Sequence, residues 1–264
     1  MTYKTIDNNK YYQTICQLNI KHYTGEVPYY SYAPFRKVEE ALLKRLQPGL
    51  NILDVGCGSG RFSINCAKRG FNVIGIDIAP DALKAAQKRS QEEKLDTITF
   101  LLSDMTHMPF QDNKFDYVIC PRFSINAVAT FPMRKQAIKE MVRVVKPGGK
   151  VFIESFNRFY MGHGPGRFIK DTLIDIGRYF NIAIAKISGQ RYKGLLPGDV
   201  VYPSNKVASA SEGYAHVPTI FEIRALIPPK VLYKLLSIPQ IVKKVKWDAF
   251  KYLRYSIWIE LLKR

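Results

Sequence analysis

The stretch LNILDVGCGSGRF, residues 50–62, decides the fold of this chain. An apolar run ends in Asp54, and Gly56, Gly58 and Gly60 follow at alternate positions. Glycine is costly to order, so this density indicates a turn where side chains would block a close approach to the backbone. Gly-rich turns of this kind often bind phosphate. A dinucleotide turn, however, carries its third glycine one residue later, and a carboxylate is a poor neighbour for a pyrophosphate. Asp54 therefore favours a ligand with an ammonium group or another positive charge.

Strands and helices alternate around this stretch. Apolar or β-branched runs predict strands over residues 51–55, 72–77, 97–104, 115–121 and 150–156. Helical spacing and helix stop signals predict helices over residues 36–46, 60–70, 80–93, 133–145 and 219–227. Nearly continuous apolar strands joined by helices predict a parallel sheet that is buried on both faces. Ligands of such sheets bind beyond the carboxyl ends of the strands.

Acidic side chains stand at the ends of the next two predicted strands. Asp77 ends the second strand and could accept hydrogen bonds from ribose hydroxyls, although a cap of the following helix is the alternative. Asp104 and Met105 end the third strand. The carboxylate of Asp104 can accept from an exocyclic amine, and Met105 can pack on an aromatic ring. With Asp54, these acids predict a ligand that lies across the edge of the sheet.

Five motifs in this order resemble the class I S-adenosylmethionine-dependent methyltransferases. They are ILDVGCGSG, VIGIDIAP, LLSDMTHMPF, FDYVIC and RVVKPGGKVFIES, and together they cover about residues 35–156. The resemblance implies an α/β fold with a seven-stranded, mostly parallel, doubly wound sheet and an inserted helical cap. It implies S-adenosylmethionine as the cofactor and methyl transfer by in-line displacement as the reaction.

The resemblance also assigns cofactor residues. They are Asp54, Gly56, Cys57, Gly58, Gly60, Asp77, Ile78, Asp104, Met105, Cys120 and Arg122. No His, Asp or Glu cluster has the spacing of metal ligands, so the sequence predicts no metal site.

The acceptor side is less defined, because PRFSIN at residues 121–126 departs from the family's usual polar residues. The candidate acceptor-binding residues are Tyr12, Phe123, Asn126 and His163. A base is needed only if the acceptor must lose a proton first. His216 and Tyr214 are the candidates for that role, with a structural histidine at the strand–helix corner as the alternative. Thr219 and Glu222 have the spacing of a capping box.

The chain is expected to form one methyltransferase domain over residues 1–264. Its predicted parts are an N-terminal lid (1–34), a cofactor-binding core (35–156), acceptor-cap insertions (157–213 and 229–252) and a final strand (253–264). Residues 167–180 predict an amphipathic cap helix whose apolar face, with Ile169, Leu173, Ile176 and Phe180, lines the acceptor pocket. Residues 194–214 read as a loop.

The charge is uneven along the chain, whose formal net charge is +18. Residues 1–155 hold 22 Lys+Arg and 15 Asp+Glu, whereas residues 156–264 hold 18 and 7, a net +11 in the shorter part. This surplus attracts nucleic acid, anionic lipid or an anionic substrate.

Three functions remain open. The favoured acceptor is a small or lipid-like molecule, because leucines and isoleucines accompany the C-terminal lysines. The alternatives are a tRNA methyltransferase of the wobble-uridine type and a cofactor-binding partner protein without catalysis. The four cysteines form no C-x-x-C pair, and the first residues hold no signal-peptide core, so the expected location is the cytoplasm, with peripheral attachment to a membrane left open.

Overall fold

The computed structural model describes residues 8–160, 165–188, 194–202, 212–245, 248 and 253–264. Within these ranges the helices are α1 (Asn8–Tyr32), α2 (Lys37–Leu43), α3 (Arg61–Ala67), α4 (Pro80–Glu92), α5 (Phe131–Val144), α6 (Pro165–Ile187), α7 (Ile220–Leu226) and α8 (Ile238–Val242). The strands are β1 (Asn51–Val55), β2 (Asn72–Asp77), β3 (Ile98–Leu102), β4 (Phe115–Cys120), β5 (Val145–Phe156), β6 (Asp199–Tyr202), β7 (Gly213–His216), β8 (Leu232–Leu236) and β9 (Ser256–Leu262).

Seven strands form one sheet in the order β3-β2-β1-β4-β5-β9-β8. The first five are mutually parallel, and β9 runs antiparallel to both β5 and β8. The predicted seven-stranded, mostly parallel sheet is therefore confirmed. The strand order reverses between β1 and β4, which places the expected ligand site at their carboxyl ends.

The central strand β1 is buried because both faces of the sheet are covered. Ile52, Leu53 and Val55 have no measurable exposure. One apolar layer contains Leu42 of α2 and Phe62 of α3, and the layer on the other side contains residues of α5 and α7 such as Ile138. A strand with apolar residues on both faces is stable only between two such layers.

The structure gives the form of one predicted part of the chain and differs from the sequence prediction in two others. Residues 8–32 of the predicted lid form the single helix α1, and the predicted loop 194–214 contains the antiparallel pair β6–β7. The segment 229–252, predicted as cap, contains the edge strand β8 of the main sheet. The residues Leu232–Leu236 therefore extend the sheet, and the described part of the segment also contains the short helix α8.

The helix α6 forms as predicted, but its apolar side faces solvent and not the protein. Ile169, Leu173, Ile176 and Phe180, expected to line a pocket, are 57–67% exposed. The prediction that this apolar face lines the acceptor pocket is therefore wrong. Among the helices in the described ranges, none is long and apolar enough to cross a membrane.

Candidate functional site

A cleft of about 720 Å³ lies over the carboxyl ends of the parallel strands. Its floor comes from the turns after β1, β2, β3 and β4, and α1 forms one wall through Tyr12, Cys16, Asn19 and Tyr23. The strand ends therefore bring together the glycine turn and the three acids that the sequence singled out.

Asp54 lies at the bottom of this cleft. The side chain is fully buried, and one carboxylate oxygen accepts a hydrogen bond from the hydroxyl of Ser63 at 2.5 Å. The other oxygen, Oδ1, has no hydrogen-bond partner among the described residues. Burial raises the pKa of Asp54 to about 7, against the opposing effects of Ser63 and Arg61. A buried carboxylate with an unused oxygen indicates a missing donor, and a cationic donor would suit it best.

The three glycines of the turn have different roles. All have a positive φ, which a residue with a side chain adopts only with strain. A Cβ on Gly56 would lie 2.5 Å from the Cβ of Ser124, and one on Gly60 would lie 2.8 Å from that of Ala86. A Cβ on Gly58 would meet nothing within 4 Å, and Gly58 lines the cleft. Gly56 and Gly60 therefore permit packing of the turn, whereas Gly58 leaves its backbone open to the cleft.

Asp77 joins the turns after β1 and β2. Its carboxylate accepts from the backbone N–H of Gly58 at 2.7 Å and from that of Ala79 at 2.9 Å. Burial outweighs these hydrogen bonds and raises the pKa of Asp77. Each oxygen keeps a second lone pair. Asp77 therefore binds the backbone just before α4 but does not cap that helix, whose N-cap residue is Ala79, and Asp77 lines the cleft.

Asp104 is held from two directions. The hydroxyl of Tyr12 on α1 lies 2.7 Å from both carboxylate oxygens. The backbone N–H and the hydroxyl of Thr106 donate to Oδ1 at 2.8 and 2.9 Å. Burial and the neighbouring carboxylate raise the pKa of Tyr12, so the phenol stays protonated and donates. Tyr12, a candidate acceptor-binding residue, thus connects the α1 wall to the acid after β3.

A fourth acid, Glu154 near the end of β5, was not recognised in the sequence. It is fully buried, lines the cleft and accepts from the Arg36 guanidinium at 2.9 and 2.5 Å and from the Arg122 N–H at 2.8 Å. Glu39 bridges Arg36 to Arg61, which donates to it at 2.8 and 2.5 Å. The signal was available, because Glu154 stands in the apolar run VFIESF near a strand end, as the other acids do.

Aromatic rings line the other half of the cleft. The rings of Phe123 and Phe156 are stacked, with centroids 3.9 Å apart and planes at 10°. Tyr255 meets both rings edge-on at 5.4–5.5 Å, and Tyr160 meets Tyr255 at 5.2 Å. All four residues line the cleft. The site thus has an acidic, glycine-rich half and an aromatic half, and Phe123, a candidate acceptor-binding residue, lies in the aromatic half.

A model of the family described as "Methyltransferase domain" matches residues 46–187. This match covers more than half of the chain and contains the whole glycine turn and the acids at or near the carboxyl ends of β1, β2, β3 and β5. The chain belongs to this methyltransferase family.

Known methyltransferases resemble the chain over its core. The chain is 38% identical over 117 residues to the 2-methyl-6-phytyl-1,4-hydroquinone methyltransferase of Synechocystis, covering 44% of the chain and 35% of that relative. It is 35% identical over 116 residues to the demethylmenaquinone methyltransferase of Listeria welshimeri, covering 43% and 48%. The chain spans less than half the length of the curated relatives it matches.

The fold is shared more widely than the sequence. The CcbJ methyltransferase of Streptomyces caelestis superimposes with a TM-score of 0.64 at 11% identity, over 93% of this chain and 99% of that one. This likeness shows that the shared fold extends beyond residues 46–187 to most of the chain.

Most of the predicted cofactor residues of this methyltransferase line the cleft. They are Asp54, Gly56, Cys57, Gly58, Asp77, Ile78, Asp104, Met105 and Arg122. Cys120 does not, because it is fully buried in the apolar layer under the cleft, where burial raises the pKa of its thiol. Gly60, too, packs against α4 and is not among the lining residues.

Asn126 was predicted to bind the acceptor, but it does not line the cleft. Its side-chain amide donates to the backbone carbonyl of His216 at 2.7 Å and to the hydroxyl of Ser155 at 3.2 Å. Its carbonyl accepts from the Phe156 N–H at 3.2 Å. Asn126 is buried and holds β5 to β7, away from the cleft. His163 lies outside the described residues.

The two candidate bases lie in a buried network, away from the cleft. Tyr214 donates to Asp199 at 2.6 Å, and His216 is 2.8 Å from Asp199 and 2.9 Å from Glu222. Although burial opposes it, the hydrogen bonds of His216 and Tyr214 hold the pKa of Asp199 below its ordinary value. In the same way His216 and Arg134 lower that of Glu222 to about 2. Neither His216 nor Tyr214 lines the cleft, so the structural role replaces the predicted catalytic one.

The same network ties α1 and α7 to the small sheet β6–β7. Tyr11 on α1 donates to Asp199 at 2.7 Å. Thr219 caps α7 by accepting from the Glu222 N–H at 3.2 Å. The side chain of Glu222 pairs with His216 and Arg134 instead of completing the predicted capping box.

Proposed function

We propose that the chain is an S-adenosylmethionine-dependent methyltransferase that acts on a small, lipid-like aromatic acceptor. The observation that carries this proposal is the division of one cleft into an acidic, glycine-rich half and an aromatic half. Clefts of roughly 300–1,000 Å³ are typical of small-molecule sites, and this one falls in the upper part of that range.

The acidic half fits S-adenosylmethionine. The unpartnered Oδ1 of Asp54 can accept from an ammonium group, which favours the ionised carboxylate over the protonated one. The open backbone at Gly58 leaves room for a ligand against the turn. Asp77 would accept from ribose hydroxyls and Asp104 from an exocyclic amine. When bound, the cofactor supplies a methyl group on a positively charged sulfur, which leaves as a neutral thioether.

The chain's own contribution is orientation and exclusion of water. The stacked rings of Phe123 and Phe156 offer a flat apolar wall, and Tyr255 closes its edge. The carboxylate of Glu154 is already engaged, since the Arg36 guanidinium and the Arg122 N–H donate to its oxygens. Holding two reactants in line supplies a large part of the rate enhancement of a displacement. The site therefore suits an acceptor that reacts without a strong protein base.

The relatives support the same acceptor class. These relatives are named for a phytyl hydroquinone and for demethylmenaquinone as acceptors, and each of these molecules has an aromatic ring with an apolar tail. Stacked aromatic side chains would hold such a ring, with offset or edge-on contacts. A tRNA acceptor and a binding protein without catalysis are the alternatives that the experiment must separate.

The test is radiolabelled methyl transfer from S-adenosylmethionine to three acceptors: a hydroquinone with an isoprenoid tail, the same ring without the tail, and bulk tRNA. We expect label in the tailed hydroquinone above the tailless ring. Label in tRNA alone would overturn the acceptor. A folded protein that binds no S-adenosylhomocysteine in calorimetry would overturn the methyltransferase activity itself.

Two variants test the two halves of the cleft independently. Asp77→Ala should weaken S-adenosylhomocysteine binding, whereas Phe156→Ala should raise the KM for the acceptor and leave that binding in place. The aromatic half would have no role in acceptor binding if Phe156→Ala left the acceptor KM unchanged.

A further inference from the structure

The helix α6 is inverted relative to an ordinary surface helix. Its protein-facing side carries Asp171, Asp175, Arg178 and the buried Ile182. Arg158, which follows β5, donates to Asp175 and lies 3.8 Å from the carboxylate of Asp171. The surface helices of globular proteins normally turn their apolar side inward. Here ion pairs hold the polar side against the protein.

The opposite side of α6 is an exposed apolar stripe. Eight of its apolar side chains are at least 43% exposed, namely Ile169, Leu173, Ile174, Ile176, Tyr179, Phe180, Ile184 and Ile187. At about 100° per residue, six of them (Ile169, Leu173, Ile176, Phe180, Ile184 and Ile187) fall within a stripe about 80° wide that runs the length of the helix. A continuous exposed apolar stripe of this length marks an interaction surface.

The charges around the stripe identify its partner. Lys170 and Lys186 are exposed and flank the stripe on its two sides. The acids of α6, Asp171 and Asp175, both face the protein and are paired. Residues 156–264 carry a net +11, which disfavours bringing two copies of this surface together. An apolar stripe flanked by lysines is typical of helices that lie in the surface of an anionic bilayer.

We propose that α6 docks this methyltransferase on an anionic membrane surface. The apolar stripe would enter the boundary between head groups and acyl chains, and Lys170 and Lys186 would meet lipid phosphates. Docking also places the cleft beside the bilayer, because Arg158 and Asp171 belong to both the cleft lining and the α6 interface. The docking itself does not depend on methyl transfer. Delivery of a lipid-like acceptor from the bilayer rests on the proposed function.

The test is co-sedimentation of the whole chain with vesicles of phosphatidylcholine, alone or mixed with phosphatidylglycerol. We expect binding to the mixed vesicles and little to phosphatidylcholine alone. The double variant Leu173→Glu/Phe180→Glu should lose at least about tenfold in vesicle affinity. Leu102→Glu is the control for a glutamate on another exposed apolar side chain, because Leu102 is 64% exposed on the edge strand β3; it adds one negative charge where the α6 variant adds two. We expect Leu102→Glu to retain binding.

Two further measurements test the role of the lysines and check that the variants are folded. Lys170→Gln/Lys186→Gln should weaken binding to the anionic vesicles and leave binding to phosphatidylcholine unchanged. Unchanged affinity for S-adenosylhomocysteine shows that the variants are folded, since the outer side of α6 does not line the cleft. Equal loss in the α6 variant and in Leu102→Glu would overturn the proposal. So would a wild type that binds no vesicles but sediments as a dimer, which the α6 variant converts to a monomer.

Discussion

The hydroxyl of Tyr12 lies 2.7 Å from both carboxylate oxygens of Asp104, although 92 positions separate the two residues. This contact fixes the α1 wall to the acid after β3. A ligand amine that binds Asp104 must therefore share the carboxylate with Tyr12 or displace it. The position of α1 and the occupancy of the cleft are thus coupled through one hydrogen bond.

Tyr12→Phe should let α1 open more often. A hydrogen bond to a charged group contributes about 1.5–3 kcal/mol, so the opening equilibrium should shift by roughly tenfold or more. We expect faster association and faster dissociation of S-adenosylhomocysteine in stopped-flow fluorescence. Thr106→Val is the control, because it removes another donor to Asp104, at 2.9 Å, and keeps the hydrogen bond from Tyr12 to that carboxylate. Equal rates in Tyr12→Phe and the wild type would show that α1 does not gate the cleft.

Asp54 predicts a pH dependence of stability. Burial raises its pKa to about 7, from about 3.9 in an unfolded chain. Between these values the folded state binds a proton that the unfolded state releases, so the contribution of Asp54 to stability falls as the pH rises from about 4 to about 7. Above that window its contribution no longer changes. Asp54→Asn should flatten this part of a plot of melting temperature against pH.

The same carboxyl predicts proton release on cofactor binding. An ammonium group favours the ionised form, so S-adenosylhomocysteine should release up to about one proton from Asp54 at about pH 6 and almost none well above pH 7. Calorimetry in two buffers of different ionisation enthalpy measures this number. Asp77 also has a raised pKa and adds to the release, so Asp54→Asn should reduce it without abolishing it. Proton release identical in Asp54→Asn and the wild type would contradict the ammonium assignment.

The glycine turn gives a matched pair of substitutions. Gly58→Ala should fold with a cost of about 1–2 kcal/mol for its left-handed backbone, because a Cβ there meets no neighbour. It should weaken S-adenosylhomocysteine binding, since Gly58 lines the cleft. Gly60→Ala has the same backbone strain and also overlaps Ala86 and Phe100, at 2.8 and 2.9 Å. It should lower the melting temperature further. Equal binding by Gly58→Ala and the wild type would show that the cofactor does not approach this backbone.

The sequence predicted those site residues whose position follows from a single rule, that parallel strands place their carboxyl ends at one edge of the sheet. Parallel strands end at one edge, so Asp54, Asp77 and Asp104 could be placed together from their positions alone. Glu154 obeys the same rule and was missed, because it lies inside an apolar run and its partner Arg36 is 118 positions away. Contacts between distant segments, such as the pair of Tyr12 with Asp104, leave no periodic signal.

The orientation of α6 shows a second limit of sequence patterns. Helical spacing identified its apolar side but could not specify which side faces the protein. The apolar side would ordinarily face the core. Arg158 reverses this orientation of α6, because its ion pairs with Asp171 and Asp175 hold the polar side against the protein. Contacts with acidic side chains also determine the role of His216. Its position near a predicted acceptor pocket suggested a base, but its ring lies against Asp199 and Glu222.

Substitution of His216 can distinguish a structural role from a catalytic one, because the two roles predict different effects on melting temperature and on kcat. Its ring lies 2.8 Å from Asp199 and 2.9 Å from Glu222, and it is buried. His216→Ala removes a hydrogen-bond donor from the buried carboxylate of Asp199, at about 1–3 kcal/mol, and also removes the ring that lies 2.9 Å from the partly exposed Glu222. At about 2–4 °C per kcal/mol for a chain of this size, the melting temperature should fall by several degrees.

Methyl transfer should respond differently to the same substitution. Well below the lowered melting temperature, His216→Ala should keep the kcat of the wild type and the shape of its pH profile, because the ring does not line the cleft. Tyr255→Leu provides the contrast, since Tyr255 packs edge-on against the stacked rings of the aromatic half. That variant should raise the acceptor KM with little change in melting temperature. A His216→Ala protein that stays folded and loses both kcat and one limb of the pH profile would restore His216 as the base.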